Sequence, residues 1–318
     1  MAFLLSAVLL TGCGSGKPAM SYDPNGSVSA FRMENSASGT ASDEKAESFA
    51  ATLCLRDEET LTGDDADLSQ ALSGVLCDIN QNRIIYAKDE NKQLPPASLT
   101  KVMTALVALK TADLDTVLTA SEQVKIDESG ATLCGLEAGD TMTLDQALHA
   151  LLMQSANDAA VLIAENLAGS VEAFADQMNA EALAIGATNS HFVNPHGLTA
   201  DDHYVTAYDM YLIFKEAMQY EEFNQIIHLD SYETVYHDAQ GNGKTYTCST
   251  TNLYLKGDYT PPEGITVIGG KTGTTMAARN CLVLLSKDSS GNPYVSVILN
   301  CSERQYLYQE MTSLLGNI

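Results

Sequence analysis

The spacing of apolar residues changes twice along the chain, dividing it into strands, then helices, then strands again. Val75, Leu76, Cys77 and Ile79 form one apolar run and Ile84, Ile85, Tyr86 and Ala87 a second, with Asn80-Gln81-Asn82 between them. This reads as a hairpin of 74–79 against 83–87. Two prolines follow, and then Leu99, Val102, Met103, Leu106 and Leu109 recur at i, i+3, i+4 and i+7. That spacing predicts a helix over 98–110. The rest of its surface is Ala, Thr and Val, so it is expected to be buried on most sides.

Thr143-Leu144-Asp145-Gln146 is a capping box. It opens a helix with Ala147, Leu148, Leu151 and Leu152 on one face, which runs on to a stop at Gly169. Further helices are predicted over 171–184 and 206–218, with a turn at Asn194-Pro195-His196-Gly197 between them. The period then returns to that of strands at 266–270, 280–287 and 294–301, the last two joined by a polar turn. A final helix spans 304–315. Strands at both ends with helices between them predict an α+β fold whose terminal strands share one antiparallel sheet.

Composition adds the compartment. The chain has 318 residues, 45% of them hydrophobic, enough for a substantial core. Its 41 acidic and 17 basic residues give a net charge of -24. Such a surface repels nucleic acid and gains nothing from anionic headgroups, so no nucleic-acid partner is expected. Residues 3–10 are an apolar run too short to span a bilayer. They read as an export signal. The run ends in Leu10-Thr11-Gly12-Cys13, which resembles a bacterial lipobox, with cleavage before Cys13 and a lipid on its thiol. The alternative is an ordinary secretory signal with an incidental cysteine. Residues 13–70 are rich in Ser, Ala, Gly, Asp and Glu without sustained periodicity, and read as a flexible acidic tether. The division expected is therefore a signal peptide at 1–12, a tether at 13–70 and a catalytic domain at 71–318. Beyond Cys13 there are six cysteines, which allow 15 pairings, and none forms a CxxC pair, so no metal is expected. Cys77, Cys281 and Cys301 lie in apolar strands and read as buried free thiols.

Three short motifs carry candidate chemistry. Ser98 and Lys101 lie three apart on a helix, so their side chains share a face. A serine hydroxyl attacks well only when a base takes its proton. A lysine can be that base if burial or a second cation lowers its pKa. Ser155-Ala156-Asn157 follows a buried helix, where a turn can aim a hydroxyl and an amide into a cleft. Lys271-Thr272-Gly273 follows a strand, and its small residues let a ligand backbone lie along the strand edge. Single motifs have decoys, since Ser42-Asp43-Glu44-Lys45 and Ser290-Gly291-Asn292 match two of them in a tether and a hairpin turn. The three together, in order and each in a fitting element, have no competing set.

The combination is the one found in penicillin-binding proteins and class A β-lactamases. Longer stretches narrow it further. PASLTKVMTALVAL at 96–109, FVNPHGL at 192–198, HYVTAYDM at 203–210 and IGGKTGTT at 268–275 resemble the D-alanyl-D-alanine carboxypeptidases among the low-molecular-mass penicillin-binding proteins. The resemblance implies a five-stranded antiparallel sheet beside a helical region, with the active site between them. It implies Ser98 as nucleophile, Lys101 as its base and Ser155 as proton relay. Asn157 would hold the substrate backbone. Lys271, Thr272 and Gly273 would form the strand side of the site, with Thr272 on the substrate carboxylate. The backbone N–H groups of Ser98 and Thr274 would form the oxyanion hole. Arg304 stands where the family often carries a carboxylate-binding arginine, the alternative being an exposed arginine at a helix start. His196 would shape the cleft wall. The partners implied are a peptidoglycan stem peptide ending in D-Ala-D-Ala, β-lactams as inhibitors and a membrane reached through lipidated Cys13, with no cofactor. Rival readings are a β-lactamase, a cross-link endopeptidase or a catalytically idle wall-binding lipoprotein. Residues 190–209 lack the glutamate-bearing loop of a class A β-lactamase.

Overall fold

The computed structural model describes residues 53–318; the signal peptide, most of the expected tether and Cys13 lie outside them. Five strands form an antiparallel sheet in the order β2-β1-β9-β8-β7. They are β1 (Ser73–Asp78), β2 (Arg83–Lys88), β7 (Thr266–Thr275), β8 (Arg279–Lys287) and β9 (Pro293–Cys301). The N-terminal hairpin joins the C-terminal strands through β1 and β9, with Val75 opposite Val297.

The sheet is covered on both faces, which explains its unbroken apolar runs. Successive strand residues point to opposite sides. Val75, Cys77, Val283 and Leu285 enter one core with the helices α1 (Thr100–Thr111), α3 (Asn157–Ala168), α4 (Val171–Ala184) and α5 (Ala207–Ala217). Leu76, Leu282 and Leu284 enter the other with Leu307, Met311 and Leu314 of α7 (Arg304–Leu315). Two further helices, α2 (Leu144–His149) and α6 (Glu221–His228), complete the helical part. α1 is buried from Thr100 to Ala108, as its apolar surface predicts.

Three features depart from the expectations. A second, four-stranded sheet in the order β3-β4-β5-β6 was not foreseen. Its strands are β3 (Val117–Thr119), β4 (Thr141–Thr143), β5 (Ser231–His237) and β6 (Gly243–Ser249). β3 and β4 are too short to show a period, and β5 and β6 are largely solvated. The helix opened by the capping box also does not run through to Gly169. α2 gives way to a π-helical turn, Ala150–Gln154, which ends at Ser155 in the left-handed region (φ 69°), and α3 restarts at Asn157.

The third departure is a correction to the tether boundary at 70. Residues 53–72 form a strap along the outer edge of β2. Cys54, Ala66, Leu68 and Ala71 are buried. Leu55 bridges Arg83 and Leu61 bridges Tyr86, so the strap supplies partners that an edge strand lacks. Lys88 Nζ donates to the carbonyls of Leu68 (2.6 Å) and Ala71 (2.8 Å). Composition registers the strap's polarity, but its few apolar anchors are too widely spaced to show a period.

Candidate active site

Ser98 sits in a 3-10 turn, Ala97–Leu99, that leads into α1. The turn is tight. Ala97 has φ 49°, and Thr100 Oγ1 donates to its carbonyl at 2.8 Å. Gly197 (φ 84°) closes over the same carbonyl, and a side chain there would overlap it. His203 braces the turn from behind. Its Nδ1 accepts from Val193 N at 3.2 Å, which leaves Nε2 to donate to Thr100 Oγ1 at 2.9 Å. Burial lowers the pKa of this ring to about 4, so it stays neutral.

One helical turn on, Lys101 is fully buried. Its Nζ lies 3.0 Å from Ser98 Oγ, 2.6 Å from Asn157 Oδ1 and 2.6 Å from the His196 carbonyl oxygen. Three donors thus meet three acceptors. Burial holds the Lys101 ammonium well below the ordinary lysine range, the Lys271 charge lowers it further, and Asp158 opposes both. Loss of one proton would leave a lone pair to face Ser98. His196 contributes its carbonyl. Its ring is driven down to about 3 by burial and by Lys101, and its Nδ1 accepts from Leu198 N.

The other two motifs close on this pair. Lys271, also fully buried, reaches Ser155 Oγ at 2.9 Å and the Thr272 carbonyl at 2.8 Å. Burial alone brings it to about 7. Ser155 is aimed by the left-handed break between the π turn and α3, so its hydroxyl meets the strand-borne lysine. β7 is the edge strand of the sheet and passes close to the serine turn. A Cβ on Gly273 would lie 3.0 Å from the Pro96 carbonyl and 3.1 Å from Ser98 N.

A cleft of about 210 Å³ opens above these groups. Ser98, Ser155, Thr272, Gly273, Thr274 and Arg304 line it, while Lys101, Asn157 and Lys271 are buried. Arg304 both starts α7 and lines the cleft, so its two readings describe one position. The structure therefore brings together all nine residues picked for chemistry; Cys13 lies outside the described residues.

Sequence reasoning missed several neighbours. Thr251 Oγ1 lies 2.6 Å from Thr272 Oγ1. Asp158 is buried and accepts from the N–H groups of Cys134 (2.9 Å), Gly135 (2.8 Å), Leu136 (3.1 Å) and Ala159 (3.0 Å). It pins the 131–136 loop, whose Thr132 lines the cleft. Asp158 stands in the first turn of α3, where a carboxylate suits the helix N-terminus, but the expected continuous helix to Gly169 put it in mid-helix and gave no such signal. Among the described residues, no group of His, Cys, Asp and Glu could hold a metal, and no helix is long and apolar enough to cross a membrane.

Residues 61–303 match the family model described as D-alanyl-D-alanine carboxypeptidase. The chain is 32% identical over 250 residues to D-alanyl-D-alanine carboxypeptidase DacF of Bacillus subtilis, covering 77% of this chain and 61% of that protein. It is 34% identical over 215 residues to DacB2 of Mycobacterium tuberculosis, covering 67% of this chain and 69% of that protein. The chain thus spans about three-fifths of the first relative and somewhat more of the second. The crystal structure of the Streptomyces K15 DD-transpeptidase superposes with a TM-score of 0.72 at 25% identity, over 78% of this chain and 96% of that one.

Proposed function

The chain belongs to the D-alanyl-D-alanine carboxypeptidase family, and on that premise we propose that it removes the terminal D-alanine from peptidoglycan stem peptides through an acyl-enzyme on Ser98. One observation carries the proposal: Lys101 Nζ stands 3.0 Å from Ser98 Oγ, fully buried and next to a second buried lysine. A base must lie within hydrogen-bond reach and hold a tuned pKa, and Lys101 meets both conditions.

Lys101 takes the hydroxyl proton as Ser98 Oγ attacks the carbonyl carbon between the two D-alanines. The N–H groups of Ser98 and Thr274 receive the developing oxyanion, where loss of one such donor typically costs about 3–4 kcal/mol. As the C–N bond breaks, Ser155 passes a proton to the leaving amine and recovers one from Lys271, whose pKa of about 7 suits the exchange. Asn157 holds the substrate backbone, and Thr272 and Arg304 take the terminal carboxylate. Water then cleaves the Ser98 ester: it gives a proton through Ser155 to Lys271, and Lys101 returns its proton to Ser98 Oγ as that oxygen leaves. No step calls for a metal or an organic cofactor. A β-lactam would acylate the same oxygen and leave slowly.

The test is the intact mass of the full chain after incubation with benzylpenicillin, beside Ser98→Ala, with D-alanine release from a D-Ala-D-Ala pentapeptide measured in parallel. A persistent one-to-one adduct, absent from the variant, and D-alanine release are expected. Consumption of the drug without an adduct would make the protein a β-lactamase. An intact drug, no adduct and no D-alanine would make it an idle binding protein. Export and lipid attachment at Cys13 belong to the same proposal, because the substrate lies in the wall. Cys13→Ala should move the protein from the membrane fraction to the medium.

A further inference from the structure

The peptide unit that joins Ala97 to Ser98 is held from behind by a relay of three hydrogen bonds. Val193 N donates to His203 Nδ1 at 3.2 Å, His203 Nε2 donates to Thr100 Oγ1 at 2.9 Å, and Thr100 Oγ1 donates to the Ala97 carbonyl at 2.8 Å. The relay has one direction. A neutral imidazole has one donor and one acceptor nitrogen, so with Nδ1 accepting, Nε2 carries the hydrogen. The Thr100 hydroxyl accepts that hydrogen and is left with its own to give to Ala97. Both side chains are buried, and Phe192 packs edge-on against the imidazole, with ring centroids 5.6 Å apart. The segment that carries His203 is itself tied down. His191 and Tyr204 exchange N–H bonds of 2.8 and 3.0 Å, and Leu94 and Val205 exchange two of 2.9 Å. The relay therefore starts from a fixed point.

In a trans peptide the C=O and the N–H lie in one plane and point in opposite directions, so a grip on the Ala97 carbonyl aims the Ser98 N–H. Two glycines mark the two ends. A Cβ on Gly197 would overlap the Ala97 carbonyl oxygen, while a Cβ on Gly273 of β7 would lie 3.1 Å from Ser98 N. The carbonyl thus faces the 194–197 turn, and the N–H faces the strand edge along which the cleft runs. Ala97, at φ 49°, sits in the left-handed region that alanine seldom adopts, and such a conformation persists only where its surroundings hold it. We propose that His203 is a positioning residue for the reaction: acting through Thr100, it holds the Ala97–Ser98 peptide at the angle that points the Ser98 N–H at the oxyanion. It touches neither the substrate nor the reacting atoms, and it exchanges no proton during turnover. The inference rests on the reading of Ser98 as the residue that is acylated.

The test compares two amides at position 203 in the full chain. In His203→Asn the side-chain oxygen can still accept from Val193 N, but the side chain is too short to reach Thr100. In His203→Gln an N–H extends to about where Nε2 stood. The readouts are the second-order rate of acylation by a fluorescent penicillin, kcat and KM for D-alanine release from a D-Ala-D-Ala pentapeptide, and the affinity for a D-alanine boronic acid analogue. The boronate's tetrahedral adduct on Ser98 places an oxygen against the same N–H. Complete loss of an oxyanion donor costs about 10²–10³-fold, so a donor that is only misaimed should cost about 10–100-fold. His203→Asn should lose that much in acylation rate, in kcat and in boronate affinity, with KM within about twofold of the parent. His203→Gln should recover most of it. Thr100→Val breaks the relay one bond nearer Ser98 and should show the same loss, which decides the matter if His203→Asn does not fold. Adding His203→Asn to Thr100→Val should cost nothing more. Parent rates in the folded single variants, a raised KM with unchanged kcat, a glutamine no better than asparagine, or losses that multiply in the double variant would each overturn the positioning role alone. A parent chain that is not acylated would overturn the Ser98 reading, and this inference with it.

Discussion

Replacing Gly273 by alanine would test whether the site depends on β7 approaching the serine turn as closely as the structure places it. The new methyl would meet the Pro96 carbonyl at 3.0 Å, Ser98 N at 3.1 Å and the Ala97 Cβ at 3.2 Å. All three are tighter than ordinary van der Waals contact, and all belong to the turn that carries the nucleophile. Relief requires β7 and the turn to part by a few tenths of an ångström. A misplacement of 1 Å costs about 100-fold in rate, so a third to a half of that predicts roughly a four- to tenfold loss. Gly273→Val adds two further methyls and should approach the full 100-fold. The stability cost should stay within the ordinary range for overpacking, about 1–3 kcal/mol. The assay is the second-order rate of acylation by a fluorescent penicillin, with thermal unfolding of each variant alongside. The reasoning fails if Gly273→Ala acylates at the parent rate, or if valine costs no more than alanine while both remain folded.

Lys271→Met should slow acylation yet raise the melting temperature at neutral pH. Lysine at about 7 in the fold and near 10.5 unfolded makes the folded state give up a proton first, so its burial penalty is full below pH 7 and fades as pH rises toward 10.5. The variant's stability advantage should therefore be largest below pH 7 and shrink steadily above it; an advantage that does not change with pH would refute the assignment. Lys101→Met should cut acylation by about 10²–10⁴-fold, read by stopped-flow, and a smaller effect would remove Lys101 as the base. Asp158→Ala leaves four backbone N–H groups without their acceptor and should cost about 3 kcal/mol or more, with faster hydrogen exchange across 131–136. Unchanged exchange there would mean that something else pins the loop.

What could be read in the sequence follows from which atoms do the work. Lys101 just before VMTALVAL and Lys271 after Ile268-Gly269-Gly270 are cations in apolar surroundings, and burying a charge is costly enough that such a residue is conspicuous. The sheet was legible for a related reason, because strands covered on both faces leave continuous apolar runs. The supporting structure leaves no such mark. The break that aims Ser155 is held by Ala156 N on the Ala150 carbonyl, Asn157 N on the Thr132 carbonyl and Gln154 Nε2 on the Leu133 carbonyl. These bonds end on carbonyl oxygens, which every residue type supplies, so no side-chain pattern records them. Asp158 likewise receives backbone N–H groups from a loop more than twenty positions away. The strap was misread because its docking rests on backbone bonds to β2 and a few isolated apolar side chains. A sequence thus advertises the groups whose burial is costly. It is silent about the backbone contacts that make the burial possible, although those contacts decide whether Lys101 lies 3.0 Å from Ser98 or too far away to act.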